Sequence, residues 1–265
     1  MHAFNYHRPS SLADASGLAG KGADAKLLAG GQSLVQAMKL RLSAPSDLVD
    51  LNAIAELRGI KSDGRSVTVG AMARHAEVAA SAEVKKAIPA LAALAELIGD
   101  RQVRNQGTIG GSLANNDPAA DYPAAVLGLG ATVVTNKRKI AADEFFKGMF
   151  ETALQPGEII TQVSFPVPKR ASYVKFKNPA SRFAIVGVFV ADTGSGVRVA
   201  VTGAGPSVFR QSEMEKALGA KFAPESVASV KVKADGLNSD LHASAEYRAH
   251  LIGVMAKRAV EAALK

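Results

Sequence analysis

Residues 107–121 read GTIGGSLANNDPAAD and lead into the apolar run PAAVLGLGA at 123–131. Glycine loses more backbone freedom on ordering than any other residue. An adjacent pair, followed by Ser, Asn, Asn and Asp, therefore marks a place where the backbone itself must come close to something. Two readings compete: a loop whose amides face a ligand, and a tight turn. A stretch of the same style lies upstream, LLAGGQSL at 27–34, where a short apolar strand runs into glycines and opens a helix. Amides at such a helix start lack intrahelical partners and attract an anion. Gly30 and Gly31 leave room for a phosphate and Ser33 offers a hydroxyl, and TIGGS (108–112) has the same ingredients. Each stretch alone is equally an ordinary glycine turn after a strand. Two in one domain suit a ligand with two phosphates, and a flavin dinucleotide is one.

Around these loops, helix and strand patterns alternate. SLADASGLAG reads as a helix capped by Ser10 or Ser11, AKLLAGG as a strand, and QSLVQAMKLRL as a helix with apolar residues at helical spacing. SDLVDL and RSVTVGAM read as strands, and HAEVAASAEVKKAIPALAALAELIG as a long helical region broken near Pro89. PAAVLGLG follows as a short buried helix and ATVVTNKRKIAA as a hairpin. From about 171 the order changes: the strands YVKFK, AIVGVFVAD and VRVAVTGAG precede helices around 210–218 and 243–264. Strands followed by helices predict a separate α+β domain, with FPVPKR as the linker.

Composition removes several function classes. The 265 residues include no cysteine, which excludes disulfides, thiolate-ligated iron–sulfur or zinc centres and a thiol nucleophile in this chain. The five histidines form no HxH or HExxH pair, and His75 beside Arg74 reads as a helix-cap or surface residue. GAGPSV and GLGATV lack the third glycine of a dinucleotide fingerprint, GLAGKGAD has the wrong spacing for a phosphate loop, and no GxSxG elbow occurs. The net charge of +8 comes from scattered Lys and Arg, aromatic content is 5% and Trp is absent, so nucleic acid is not the expected partner. The opening MHAFNYHRPSSLADA has no basic stretch ahead of an apolar core, and no run of about 18 apolar residues occurs. Neither a secretory signal nor a transmembrane segment is expected, and the cytoplasm is the expected compartment.

AGGQSLVQAMKLRL (29–42) and TIGGSLANNDPAADYPAA (108–125), in this order and at this separation, closely resemble the flavin-binding medium subunit of the molybdenum hydroxylases. That family includes aerobic carbon monoxide dehydrogenase, xanthine dehydrogenase and related aldehyde and N-heterocycle hydroxylases. The likeness extends over most of the chain, from FNYHRPSSL through SYVKFKNPASRFAIVG and VRVAVTGAG. It implies an α+β fold of the p-cresol methylhydroxylase/vanillyl oxidase type. Two α+β subdomains, about 1–57 and 58–168, would hold FAD, and a smaller α+β domain of the carbon monoxide dehydrogenase flavoprotein type would span 171–265.

The resemblance also implies a site. Leu27, Leu28, Ala29, Gly30, Gly31, Gln32, Ser33 and Leu34 would line the pyrophosphate and adenine side of FAD. Thr108, Ile109, Gly110, Gly111 and Ser112 would cradle the pyrophosphate and ribityl region, and Asp121 would accept a hydrogen bond from the cofactor. Ile98 would pack on the ring, with Ile160 and Lys177 near the isoalloxazine. Plainer roles stand beside these: Asp121 as a helix cap, Lys177 as a solvated edge residue, Ile98 and Ile160 as core.

The implied activity is electron transfer. A large subunit with the molybdenum cofactor would oxidise the substrate, a small subunit would carry iron–sulfur clusters, and this chain would pass electrons from its FAD to an external acceptor. The implied assembly is a dimer of heterotrimers. Arg101 and Arg104, in GDRQVRNQ (99–106), would reach an acidic partner, or else be solvated or balance the FAD phosphates. A self-sufficient flavin oxidoreductase on the same fold, and a nucleotide-binding module without flavin, remain as alternative classes.

Overall fold

The structure is a computed structural model that describes residues 1–21 and 24–265. Gly22 and Ala23, inside the GLAGKGAD stretch, lie outside the described residues.

The chain begins with a small parallel sheet. β1 (Asn5–His7) and β2 (Ala25–Leu28) both pair in parallel with β3 (Asp47–Asp50), in the order β1-β3-β2. Parallel neighbours need crossovers, supplied by α1 (Leu12–Gly20) and by α2 (Leu34–Lys39). Ser11 caps α1, its hydroxyl accepting from the Asp14 amide. Ala15, Val49, Leu51, Ile54 and Leu57 close a small core beneath the sheet, joined by Met72 and Ile159 from later segments.

The second unit holds β4 (Ile60–Ser62), β5 (Ser66–Gly70), β6 (Thr132–Thr135), β7 (Lys139–Ala141) and, after the β8 (Phe146–Gly148) and β9 (Glu151–Thr152) hairpin, β10 (Ile160–Pro166). These strands, apart from that hairpin, form an antiparallel sheet in the order β4-β5-β10-β6-β7. Helices cover it: α3 (His75–Ala80), α4 (Ala82–Ala87), α5 (Pro89–Glu96), α6 (Arg101–Gln106), α7 (Ile109–Asn115), α8 (Tyr122–Gly128) and α9 (Ala142–Phe145). The long helical region expected from residue 75 is therefore three helices. Pro89 opens α5 as anticipated, and Ser81 adds a break by capping α4 through the Val84 amide. The hairpin and the buried α8 fall where their patterns placed them.

TIGGS differs from the loop expected of it. Thr108 is the N-cap of α7, Gly110 and Gly111 lie in its first turn, and Asn116 ends it in the left-handed conformation. Two glycines at a helix start look like a loop by propensity. Here the capping hydroxyl and the contacts around Gly110 hold them in a helix.

The last unit is an antiparallel sheet, β11 (Arg170–Lys177), β12 (Ala184–Asp192), β13 (Val197–Thr202) and β14 (Phe209–Arg210), in chain order. It is backed by α10 (Ser212–Ala220), α11 (Pro224–Ala228) and α12 (Ala245–Ala263). β12 is buried on both faces. Val186, Val188 and Val190 face Ile252, Met255 and Ala259 of α12, while Phe189 and Ala191 join the core that contains Leu91, Leu94 and Tyr122. FPVPKR is consequently no free linker. Phe165 and Pro166 finish β10 and Arg170 opens β11, with the Val167 amide on the Arg65 carbonyl (2.9 Å) and the Lys169 amide on the Asp192 carbonyl (2.8 Å). Among the described residues, no helix is long and apolar enough to cross a membrane.

Candidate functional site

A cleft of about 1110 Å³ opens where the small parallel sheet, the helices α6 and α7 and the 181–183 turn between β11 and β12 meet. Ligand pockets typically hold about 300–1,000 Å³, so this one has room for a dinucleotide-sized molecule. Both glycine stretches line it.

The first stretch is built to present its backbone. Leu27 and Ala29 anchor β2 and the residue after it on the small core. Asp50, at the end of β3, accepts from the amide and the side-chain amide of Asn52 (2.9 and 2.7 Å). Asn52 in turn donates to the Ala29 carbonyl at 3.1 Å. Gly31 then adopts φ +71°, a left-handed turn that favours glycine and starts α2. Among the described residues, the amides of Gly30, Gly31, Gln32, Ser33 and Leu34 donate to no protein acceptor. Gly31, Gln32, Ser33 and Leu34 line the cleft, as do Leu27 and Ala29. Convergent free amides at a helix start form a cradle for phosphate oxygens.

The second stretch works otherwise. The Ile109 amide donates to the Ala73 carbonyl (3.1 Å), that of Gly110 to the Ala71 carbonyl (2.8 Å), and that of Gly111 to the Thr108 hydroxyl (3.1 Å). The backbone donors of Ile109–Gly111 are thus spent on the protein. It turns Thr108, Gly110, Gly111 and the Ser112 side chain to the cleft. A Cβ on Gly110 would stand 2.7 Å from the Ala71 carbonyl oxygen, so glycine is required there by the fold.

Of the remaining residues singled out from the sequence, Ile98, Asp121 and Ile160 line the cleft. Leu28, Gly30, Ile109 and Lys177 are absent from its walls: Gly30 is backed onto Gln106, Ile109 is fully buried in the main core, and Lys177 is exposed at the end of β11. A bulge between Phe176 and Lys177 shifts that strand end out of register.

Two residues earlier, Lys175 is buried, and its Nζ donates to Asp121 Oδ2 at 3.0 Å and to the Leu97 carbonyl at 2.9 Å. Tyr173 donates its hydroxyl to Asp121 Oδ1 at 2.5 Å. Burial pushes the Asp121 carboxyl above the usual carboxylate range, opposed by the Lys175 charge and the Tyr173 hydrogen bond. Asp121 stands at the N-cap position of α8, but its side chain makes no capping hydrogen bond and is held by Tyr173 and Lys175 instead. The period-2 alternation that puts Tyr173 and Lys175 on one strand face was the available signal for Lys175.

His75, expected as a helix-cap or surface residue, is the first residue of α3, but it is buried and lines the cleft. Its Nδ1 has no hydrogen-bond partner among the described residues, and its ring lies 5.3 Å from that of Tyr122. Burial, with Arg104 nearby, lowers its pKa to about 4, so the imidazole is neutral at pH 7. Arg104, expected to reach an acidic partner, to be solvated or to balance the FAD phosphates, is instead turned inward, donating to the Ile98 and Gly99 carbonyls and to Glu96. Arg101 remains exposed.

Comparison with known proteins places this geometry. Residues 2–168 match the family described as the FAD binding domain in molybdopterin dehydrogenase, and residues 171–263 match the CO dehydrogenase flavoprotein C-terminal domain. The chain is 37% identical to the carbon monoxide dehydrogenase medium chain of Hydrogenophaga pseudoflava, covering 98% of this chain and 96% of that one. It is also 37% identical to the nicotine 6-hydroxylase medium subunit of Paenarthrobacter nicotinovorans, covering 98% and 97%. The structure of reconstituted CO dehydrogenase from Oligotropha carboxidovorans superposes with a TM-score of 0.91 at 35% identity, over 98% of this chain and 97% of that chain. The α+β architecture expected from the sequence is the one found, and the chain belongs to the family of FAD-binding medium subunits of the molybdenum hydroxylases.

Proposed function

We propose that this chain holds FAD in the cleft and serves as the electron-transfer subunit of a multi-subunit molybdenum hydroxylase. The observation that carries the reading is the run of amides from Gly31 to Leu34, which among the described residues donate to no protein acceptor and belong to residues lining a cleft large enough for a dinucleotide. These amides and the Ser33 hydroxyl would hold the pyrophosphate, with Ser112 and the flat surface of Gly110 and Gly111 facing the middle of the cofactor. Ile98 and Ile160 would supply an apolar wall that excludes water, and Asp121 an acceptor held in place by Lys175 and Tyr173. Bound FAD supplies the chemistry, taking up and releasing electrons singly or in pairs. The protein's part is orientation and a preorganised electrostatic environment.

The absence of cysteine assigns any iron–sulfur cluster to another chain. In this reading the partners are a large subunit with the molybdenum cofactor and a small iron–sulfur subunit, assembled as a dimer of heterotrimers. Residues 1–168 form the FAD-binding domain, in halves of about 1–57 and 58–168, and 171–265 the C-terminal domain. The external acceptor receives the electrons at this chain.

The test is flavin binding and reduction by the full chain. The expected result is a yellow one-to-one FAD complex that aldehydes, purines and carbon monoxide fail to bleach. Co-expression with its partner chains should bring molybdenum and iron along and restore bleaching. A chain that takes up no FAD, or whose lone flavin is reduced by such a substrate, overturns the reading.

A further inference from the structure

α5 ends at Glu96, so the carbonyls that follow have no helical amide to accept from. Two cations from separate elements take that place. Lys175 of β11 donates to the Leu97 carbonyl at 2.9 Å, and Arg104 of α6 donates to those of Ile98 (3.1 Å) and Gly99 (3.4 Å). Cations at a helix C-terminus are favoured by the helix dipole, and bonds from a charged donor are the stronger kind. Gly99 sits at φ +47°, which turns the chain sharply into α6. Each cation also holds a carboxylate: Lys175 the buried Asp121, and Arg104 the exposed Glu96 at 3.1 Å. Ile98, Gly99 and Asp121 line the cleft, whereas Lys175 and Arg104 stand behind them.

We propose that Lys175 and Arg104 are positioning residues that clamp the Leu97–Gly99 turn and Asp121 into one rigid wall of the cofactor cleft. This rests on the reading that FAD occupies the cleft. A turn whose consecutive carbonyls are all bound to cations presents Ile98 in one place. Released from either cation, the turn has to be ordered when FAD binds, and that ordering is subtracted from the affinity. Because Lys175 belongs to β11, the C-terminal sheet takes part in shaping a site lined mostly by the first 160 residues.

The experiment is a double-mutant cycle on the full chain. The FAD dissociation constant is measured by flavin fluorescence, with Tm recorded for each form: wild type, Lys175→Met, Arg104→Met and the double variant. Each single change is expected to weaken FAD about tenfold. The double variant should lose clearly less than the roughly hundredfold product, because both cations hold the same turn. A lowered Tm with unchanged affinity would make the two residues merely structural, and a multiplicative double variant would make them independent contacts; either result overturns the clamp. Should Lys175→Met fail to fold, Arg104→Met decides alone, and unchanged FAD affinity in it refutes the clamp. Wild-type chain that binds no FAD refutes the functional reading itself, an outcome distinct from wild-type binding with unaffected variants.

Discussion

The Cα of Gly30 rests directly against the main chain of Gln106: a Cβ on Gly30 would overlap the Gln106 carbonyl oxygen and lie 2.8 Å from the Cα of Gly107. The two glycine stretches are therefore wedged together, Gly30 of the first against the residues that lead into the second. Gly111 touches the first stretch more loosely, where its Cβ would stand 3.4 Å from that of Ala29. One contact fixes the relative position of two loops more than seventy residues apart.

Gly30→Ala should accordingly destabilise the protein by about 1–3 kcal/mol, as an overpacked backbone contact that no side-chain rotation relieves. It should also weaken FAD by displacing the amide cradle. Urea denaturation of the FAD-free chain separates the two effects. Stability equal to wild type would show that the loops part without cost.

His75 makes the FAD-free chain sensitive to acid. Its pKa is about 4 in the folded chain against an ordinary 6.5, so the unfolded chain binds more protons between those values. Stability is complete above pH 6.5 and declines as pH falls towards 4, at up to about 1.4 kcal/mol per pH unit from this group. His75→Gln should flatten that segment of the stability–pH curve, as read from urea midpoints at several pH values. An unchanged slope would assign the acid sensitivity to carboxylates.

Asn116 ends α7 at φ +43°, and its side-chain amide donates to the carbonyls of Gly148 (2.7 Å) and Glu151 (2.9 Å). It ties α7 to the β8–β9 hairpin, whose turn residue Phe150 lines the cleft. Asn116→Ala forfeits both bonds and strains the left-handed backbone, whereas Asn116→Gly forfeits only the bonds. The Ala variant should be less stable than the Gly variant by about 1 kcal/mol, and both less stable than wild type. Equal Tm values for Ala and Gly would mean that the turn relaxes to another conformation.

Sequence alone established the α+β class, the order of most elements, the absence of thiol chemistry and, through the paired glycine stretches, the family. Those features are local: capping residues, strand alternation and glycine placement act within a few residues of chain and read directly from the letters. Tertiary structure alone decided what each glycine is for. The amides of Gly31–Leu34, whose residues line the cleft, donate to no acceptor among the described residues, while those of Ile109–Gly111 are satisfied by Ala71, Ala73 and Thr108, a difference invisible in two nearly identical motifs. It also brought Asp121 to Lys175 of β11 and left Lys177 exposed beyond the bulge that follows Phe176. It buried His75 in the cleft wall and turned Arg104 inward onto the Leu97–Gly99 turn. Each of these outcomes depends on which distant backbone group arrives within hydrogen-bonding reach. Packing of the whole chain determines that, and no local pattern encodes it.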